Sequence, residues 1–251
     1  MALWTNGKVV EIKHWNDRLH SLRVDADIEP FEAGQFIKLG LEIGGETGGE
    51  IVGRPYSIVN PPQQRPLDFY FITVPGGPLT QRLQVMQPDD EIMIAPRAAG
   101  FLVLSEVPQA KHLCMISTGT GIGPFLSIIR SEAPWNRFER VILVHAVRTV
   151  SELNYREEIE QVAAAHPQQF SYIPFVSREA CDFALSGRVP QAILEGTLEQ
   201  RADIKLNAVD SQVMLCGNPQ MVEDVMAVLL ARGMKKNKRR DPGQLSVENY
   251  W

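Results

Sequence analysis

The sequence predicts two domains, an antiparallel β-barrel followed by an α/β domain built on a parallel sheet. Two observations support this division. Residues 1–103 contain several short strands separated by turn residues, whereas residues 104–251 alternate strands with helices. The change falls near a polar connection over residues 102–110, and 251 residues are enough for one or two domains.

The strands of the predicted barrel are short apolar runs bounded by glycine, proline or asparagine. They cover residues 8–12, 19–24, 35–43, 54–59, 67–74 and 91–95. A polar turn at Asn16 and Asp17 separates the first two strands, and Pro61 and Pro62 separate the fourth from the fifth. One short helix is expected near residues 78–86.

The second half has the pattern of a parallel sheet covered by helices. The apolar runs at residues 112–118, 141–147, 170–176 and 213–216 are typical of buried parallel strands. Helices are predicted over residues 124–130, from Ser151 with Tyr155, Ile159 and Val162 at helical spacing, and over residues 220–232. Such a fold binds ligands beyond the carboxyl ends of its strands.

Residues 111–130 are the central segment of this half, with a strand, a glycine turn and a helix. Gly119, Gly121 and Gly123 allow a sharp turn and a close approach to a ligand, and Pro124 suits the first helical position. The N–H groups at a helix start attract an anion, most simply a pyrophosphate. The spacing differs from G-x-G-x-x-G, so a turn without a ligand remains an alternative.

Composition excludes several classes of protein. A net charge of -5 argues against a general nucleic-acid binder, while 44% hydrophobic and 22% charged residues are ordinary for a globular protein. The sequence has no apolar stretch like a signal peptide or a membrane span, so we expect a cytoplasmic protein. Cys114, Cys181 and Cys216 are far apart, so we expect no sequence-local zinc or iron–sulfur site.

The most informative motif of the first half is Arg-Pro-Tyr-Ser at residues 54–57. It provides a guanidinium for phosphate, an aromatic face for a flat ring and a hydroxyl for the edge of that ring, a combination that suits a flavin. An ordinary edge strand with Pro55 at a position that donates no hydrogen bond is the alternative interpretation.

Four motifs together resemble the ferredoxin–NADP reductase family, and its bacterial ferredoxin/flavodoxin branch most closely. They are Arg-Pro-Tyr-Ser at 54–57, Ile-Ser-Thr-Gly-Thr-Gly-Ile-Gly-Pro-Phe at 116–125, Cys-Gly-Asn-Pro-Gln-Met at 216–221 and Val-Glu-Asn-Tyr-Trp at 247–251. The likeness covers essentially the whole chain. It implies an FAD-binding barrel followed by an NADP-binding α/β domain.

The resemblance assigns FAD contacts to the first domain and to the end of the chain. Arg54 would bind the pyrophosphate, Tyr56 would lie against the ring system and Ser57 would hydrogen-bond near its reactive nitrogen. The other FAD residues implied are Ile58, Phe71, Thr73, Gly77, Leu79, Thr80 and Thr120. Two terminal aromatics follow, and we expect Tyr250 on the isoalloxazine and Trp251 against the adenine half; a disordered tail is the alternative.

NADP would lie in the second domain. Gly119, Gly121 and Gly217 would approach the nucleotide, and Cys216 would face the nicotinamide, where it and Ser57 align the reacting carbons. The second strand of this domain ends without the acidic residue that selects NAD. The side chains expected near the 2′-phosphate are Arg148, Ser177, Arg178 and Arg188. We therefore expect NADPH to be strongly preferred over NADH.

A basic run near the carboxyl end contains Lys235, Lys236, Lys238, Arg239 and Arg240. It is either a solvated helix end or a docking patch for an acidic carrier, ferredoxin or flavodoxin. The implied function is hydride transfer from NADPH to FAD, followed by single-electron transfer to that carrier, in a monomer. The reductase component of an oxygenase, a free-flavin reductase and a non-catalytic NADP-binding redox sensor are the alternatives.

Overall fold

The computed structural model describes residues 3–44 and 49–249 of the chain. Its first half is a six-stranded antiparallel sheet in the order β4-β3-β6-β1-β2-β5. The strands are β1 (Thr5–His14), β2 (Leu19–Asp25), β3 (Phe36–Ile43), β4 (Glu50–Ser57), β5 (Leu67–Ile72) and β6 (Glu91–Ile94). A bridge between Ile58 and Phe69 joins the two edges, so the sheet closes into the predicted barrel.

Inward-facing apolar side chains fill this barrel. Leu22, Val24, Leu39, Phe69 and Ile94 have no exposed surface, as expected for the alternate residues of strands that enclose a core. The predicted turn between β1 and β2 forms because the Asn16 side chain accepts hydrogen bonds from the N–H groups of Arg18 and Leu19, both at 2.9 Å. The short helix α1 (Thr80–Leu83) packs Leu83 into the same core.

The second half is a parallel sheet in the order β10-β9-β8-β7-β11-β12. Its strands are β7 (His112–Thr118), β8 (Arg140–Val147), β9 (Phe170–Val176), β10 (Leu185–Ser186), β11 (Ser211–Gly217) and β12 (Leu245–Asn249). The helices are α2 (Gly123–Ile129), α3 (Ala133–Arg137), α4 (Arg156–Ala165), α5 (Val189–Glu195), α6 (Thr197–Ala202) and α7 (Pro219–Ala231).

Helices cover both faces of this sheet, as the strand-and-helix pattern predicts. Leu113 and Met115 of β7 belong to one apolar core, together with Phe125 of α2. The intervening residues of the same strand, Cys114 and Ile116, belong to the core on the opposite face. Alternation along one buried strand therefore supplies two cores.

The prediction was wrong about the segment after β8. A helix from Ser151 was expected to contain Tyr155, but α4 begins at Arg156 after a 3-10 turn over Val150–Glu152. Tyr155 has φ = 59°, a left-handed conformation that cannot continue a right-handed helix. The short elements α3, α5, α6 and β10 and the edge strand β12 were not predicted, because each has at most seven residues, too few to show a clear periodicity.

The two domains share part of one core. Leu19, Val59 and Tyr70 of the barrel pack in the same cluster as Leu113 and Phe125 of the α/β domain. Burial of these side chains fixes the domains against each other. Within the described part of the chain, none of the helices has both the length and the apolar character needed to cross a bilayer.

Candidate functional site

A cavity of about 490 Å³ lies in the barrel domain and reaches the α/β domain. Its lining is mostly apolar and aromatic. Eight of the predicted FAD residues line it: Arg54, Tyr56, Ser57, Phe71, Gly77, Leu79, Thr80 and Thr120. Phe36, Val52, Pro55, Tyr70, Ile72, Val74, Pro78 and Glu248 complete the wall. The structure thus brings together residues that are far apart in the sequence.

Strand β4 presents the Arg-Pro-Tyr-Ser motif to this cavity. The Tyr56 ring meets Phe71 edge to face, with centroids 6.2 Å apart, and burial raises the pKa of Tyr56 so that its hydroxyl stays neutral. The exposed Arg54 guanidinium donates to the Gly53 carbonyl at 2.8 Å. Among the described residues, strand β4 pairs along its length only with β3, and the bridge that closes the barrel lies after it, at Ile58. Pro55, which has no N–H to donate, therefore interrupts no hydrogen bond between two central strands.

Two predicted FAD residues do not line the cavity. The Ile58 side chain is fully buried in the barrel core. The Thr73 hydroxyl donates to Gln84 Oε1 at 2.8 Å and lies 2.9 Å from His20 Nε2. The side-chain contacts of Thr73 are therefore with Gln84 and His20, and Thr73 is not among the residues that line the cavity.

A second cavity, of about 370 Å³, opens at the carboxyl ends of the parallel strands, where ligands of such folds bind. Six of the predicted residues line it: Gly119, Thr120, Arg148, Ser177, Arg188 and Gly217. Gly217 has φ = 134°, and a Cβ atom there would lie 2.3 Å from Thr118 Oγ1. Only glycine therefore allows the two turns of this cavity to approach each other.

Besides Ile58 and Thr73, three more of the predicted residues lie outside both cavity walls. Arg178 is exposed, and its backbone N–H donates to the Arg148 carbonyl at 2.9 Å. Gly121 is buried against the Cys216 carbonyl, and the Cys216 side chain is itself fully buried in the core of the α/β domain. The terminal pair, Tyr250 and Trp251, lies outside the described residues.

Arg148 and Arg188 supply positive charge to the second cavity. The backbone N–H of Arg148 donates to Glu152 Oε2 at 2.9 Å, and its guanidinium Nε lies 3.8 Å from Glu152 Oε1. No ion pair within the described residues involves Arg188. This residue lines the second cavity and immediately precedes α5. A guanidinium in this setting can bind a phosphate in a forked geometry.

The two cavities meet at a common wall. Ile72, at the end of β5, and Thr120, in the glycine turn after β7, line both of them. One of these residues comes from each domain. A ring bound in one cavity would therefore meet a ring bound in the other across Ile72 and Thr120.

Two polar residues that sequence reasoning missed belong to this site. Glu248 lines the first cavity, and burial raises its pKa to about 7. His145 is fully buried behind the second cavity, and its Nε2 atom lies 3.0 Å from the Gly119 carbonyl. The signal for Glu248 was its position in the terminal motif, which was interpreted only for its aromatic residues.

The chemistry of the walls matches two different ligands. The first cavity offers aromatic and aliphatic faces to a flat ring, with the Arg54 guanidinium at its exposed side for a phosphate. The second offers two glycine turns and two arginines, which suit a phosphorylated nucleotide. The residues present therefore fit a flavin dinucleotide beside a nicotinamide dinucleotide.

Comparison with known proteins agrees with this geometry. A family model for an oxidoreductase NAD-binding domain matches residues 115–227. The flavodoxin/ferredoxin–NADP reductase of Escherichia coli strain K12 is 44% identical over 252 residues, covering 100% of both chains. The ferredoxin–NADP reductase of Pseudomonas aeruginosa is 38% identical over 251 residues, covering 96% of this chain and 95% of the relative.

A solved structure shows the same fold over the same length. The ferredoxin NADP+ reductase from Neisseria gonorrhoeae, with bound FAD and NADP, has a TM-score of 0.92 and 32% sequence identity, covering 100% of both chains. On this full-length similarity, the chain belongs to the flavodoxin/ferredoxin–NADP reductase family.

Proposed function

We propose that this chain is an FAD-dependent reductase that accepts a hydride from NADPH and delivers single electrons to ferredoxin or flavodoxin. The observation that carries the proposal is the common wall of the two cavities at Ile72 and Thr120. It allows a flavin ring and a nicotinamide ring to meet with no side chain larger than isoleucine at their junction. When bound, the flavin supplies the conversion between two-electron and one-electron transfer.

The residues that would hold FAD come from the first cavity. Tyr56 and Phe71 offer their rings to the isoalloxazine, and Arg54 offers its guanidinium to the pyrophosphate. Ser57 is 4% exposed and lines the wall, and we assign its side chain to the polar edge of the ring. These side chains orient the ring and exclude water from the junction.

Glu248 places an ionisable group in the same wall. Because burial raises its pKa to about 7, its carboxyl group can hold or release a proton near neutral pH. We infer that it serves as a proton reservoir at the edge of the cavity. Tyr250, two residues later, is proposed to cover the ring, with Trp251 beyond it; both lie outside the described residues.

The residues that would hold NADPH come from the second cavity. The turns at Gly119 and Gly217 approach the dinucleotide, and Arg148, Ser177 and Arg188 face its phosphorylated end. Arg178 is close in sequence but does not line the cavity, so we assign the 2′-phosphate to Arg148 and Arg188. Cys216 is buried in the core of the α/β domain and would support the turn from behind.

We infer that the acidic carrier docks near the basic run. Within this run, the Arg239 guanidinium forms an ion pair with Glu106, and the Nη2 and Oε1 atoms are 2.6 Å apart. The Arg239 guanidinium also lies 4.3 Å from the ring centroid of Phe101, which is 65% exposed. Arg239 is therefore partly neutralised and packs on an exposed aromatic ring.

This patch adjoins the first cavity. Gly100, next to Phe101, is so close to the cavity wall that a Cβ atom there would lie 3.0 Å from Phe36 and 3.1 Å from Glu248 Oε2. Lys235 is paired with Asp241 at 2.6 Å, whereas Lys236, Lys238 and Arg240 form no ion pair within the described residues. Those three cations are available to attract a carrier with acidic residues.

Anaerobic titration of the purified protein tests the proposed reaction. We expect a yellow protein whose flavin absorbance is bleached by stoichiometric NADPH and far more slowly by NADH at equal concentration. Reduced flavodoxin or ferredoxin should then accumulate when either carrier is added. A colourless protein, or a flavin that NADPH does not bleach, would contradict the proposal.

A further inference from the structure

A pair of residues after β8, Asn154 and Tyr155, connects the two domains. They follow Glu152, which lines the second cavity, and precede α4. Tyr155 is 3% exposed and has φ = 59°. A large side chain in the left-handed region is strained, and it persists only where its surroundings hold it in place.

A chain of hydrogen bonds holds Tyr155 to the barrel. The indole N–H of Trp15 donates to Ser21 Oγ at 2.7 Å, Ser21 Oγ lies 2.6 Å from the Tyr155 hydroxyl, and that hydroxyl donates to Asp68 Oδ1 at 3.1 Å. Because the tyrosine proton points to Asp68, Ser21 is the donor to Tyr155. Every hydroxyl in the chain is therefore satisfied in one consistent direction.

Asn154 makes a second bond between the domains. Its side-chain N–H donates to the Tyr70 hydroxyl at 2.8 Å, and Tyr70 lines the first cavity. The rings of Tyr70 and Tyr155 also meet edge to face, with centroids 5.2 Å apart. Two neighbouring residues of the α/β domain thus bind three residues of the barrel. We call these five residues together the interdomain clamp: Ser21, Asp68, Tyr70, Asn154 and Tyr155.

We propose that Asn154 and Tyr155 are positioning residues that set how the nicotinamide meets the flavin, an inference that rests on the proposed function. One clamp residue, Tyr70, lines the first cavity, and the α/β side of the clamp follows closely after Glu152, which lines the second cavity. Tyr70 precedes the shared wall residue Ile72 by two positions in β5, and Glu152, which binds Arg148, precedes Asn154 by two positions. Loosening these bonds would shift one cavity against the other without removing a group that touches either ligand.

Hydride transfer depends steeply on such a shift, because the reacting atoms must approach closely and in line. The test uses Tyr155→Phe and Asn154→Ala in the full-length FAD-loaded protein. Ser211→Ala is the matched control. Ser211 is also buried, but its hydroxyl donates to the Lys205 carbonyl within the α/β domain. It lies at the start of β11, whereas the second cavity is at the other end of that strand, at Gly217.

Three measurements separate positioning from folding. We expect the rate constant of flavin bleaching at saturating NADPH to fall about 5- to 50-fold in Tyr155→Phe and in Asn154→Ala, but not in Ser211→Ala. The affinity for adenosine 2′,5′-bisphosphate, which needs only the α/β domain, should stay within about twofold of wild type. Amide hydrogen exchange should rise over residues 150–156 and 67–72 in the clamp variants alone.

A double variant tests the specific bond. Because Ser21 and Tyr155 share one hydrogen bond, Ser21→Ala with Tyr155→Phe should slow bleaching by less than the product of the two single effects. Wild-type bleaching rates and wild-type exchange in both clamp variants would overturn the inference. So would a loss of affinity for adenosine 2′,5′-bisphosphate in proportion to the loss of rate, because that result means a damaged nucleotide site.

These outcomes are distinguishable from failure of the proposed function. If NADPH does not bleach the wild-type flavin, the reductase assignment fails. Hydrogen exchange still tests the clamp in that case, because unchanged exchange in the clamp variants would show that these bonds do not hold the two domains together. If the wild type is bleached and the clamp variants match Ser211→Ala, only the positioning role fails.

Discussion

The Nε2 atom of His145 lies 3.0 Å from the carbonyl oxygen of Gly119 and joins a fully buried imidazole to the glycine turn of the second cavity. Burial lowers the pKa of His145 to about 4, so the ring is neutral at physiological pH. Because a carbonyl oxygen can only accept a hydrogen bond, the proton of the neutral ring lies on Nε2, and Nδ1 is the acceptor that faces the Tyr172 hydroxyl at 3.4 Å. His145 therefore donates to the turn.

The first prediction concerns this bond. His145→Leu should leave the Gly119 carbonyl without its donor and destabilise the protein by about 1–3 kcal/mol. NADP+ should bind several-fold more weakly, whereas His145→Gln, which retains an N–H donor, should recover part of both losses. Urea unfolding and calorimetric titration measure the two effects. Equal behaviour of the two variants would mean that the imidazole only fills space.

The second prediction concerns Gly121. A Cβ atom there would lie 2.7 Å from the Cys216 carbonyl oxygen and 2.8 Å from the Gly217 Cα atom, and neither backbone atom can move cheaply. Gly121→Ala should cost about 3 kcal/mol of stability and separate the two turns that face the nucleotide. Gly233→Ala is the control, because a Cβ atom at Gly233 has no neighbour within 4 Å and adds only backbone strain.

The third prediction concerns pH and Asp68. Burial raises the pKa of this carboxyl to about 6. The positive charges of Arg23 and Arg130 act to lower this pKa, and the negative charge of Glu158 acts to raise it. Between the unfolded pKa and about 6, the unfolded chain binds fewer protons than the folded one, so the free energy of unfolding falls as pH rises. Above that range the loss is complete.

Comparison with Asp68→Asn isolates this effect. From pH 4 to pH 7 the wild type should lose roughly 2–3 kcal/mol relative to the variant in urea unfolding experiments. Asp210→Asn should give the opposite sign, because the hydrogen bond from Lys111 lowers the pKa of Asp210, and the stability it contributes is lost as pH falls. Parallel pH profiles for wild type and Asp68→Asn would show that Asp68 titrates normally.

The fourth prediction separates two arginines. Arg188→Ala should raise the KM for NADPH about tenfold, because a charged bond to the 2′-phosphate is lost, and should leave the KM for NADH unchanged. Arg178→Ala should change either KM by less than about twofold, since Arg178 does not line the cavity. Steady-state kinetics with both nucleotides decides the matter, and equal effects of the two substitutions would contradict our assignment.

The fifth prediction concerns the carrier. Lys238→Glu and Arg240→Glu should each slow reduction of an acidic carrier several-fold at low salt, and the difference should shrink as ionic strength rises. Lys205→Glu makes the same charge change on an exposed residue of the α/β domain outside the basic run and serves as the control. The docking role would be abandoned if all three variants behaved alike, or if the wild-type rate did not depend on salt.

How far the sequence predicted this molecule depends on whether each signal is local. Strand β7 was predicted with its observed bounds because a short, mostly apolar run ends at a glycine turn. Tyr155 was wrongly assigned to a helix, since its conformation is decided by Ser21 and Asp68, more than 80 residues away. Helical spacing carries no information about such a bond.

The site shows the same limit. The four residues of the Arg-Pro-Tyr-Ser motif line the first cavity side by side, and a short run of this kind is visible in the sequence because it is local. Glu248 reaches it because β12 pairs with β11, which places Glu248 opposite Cys216. That pairing brings together segments that the sequence shows only as separate motifs.

The core shared by Leu19, Val59, Tyr70, Leu113 and Phe125 limits how this protein can be divided. Separating the barrel from the α/β domain would expose a continuous apolar surface on each fragment, and such surfaces promote aggregation. In a chimeric reductase built from two relatives, the core residues of both domains at this interface should therefore come from the same relative, even where the loops around the cavities are exchanged.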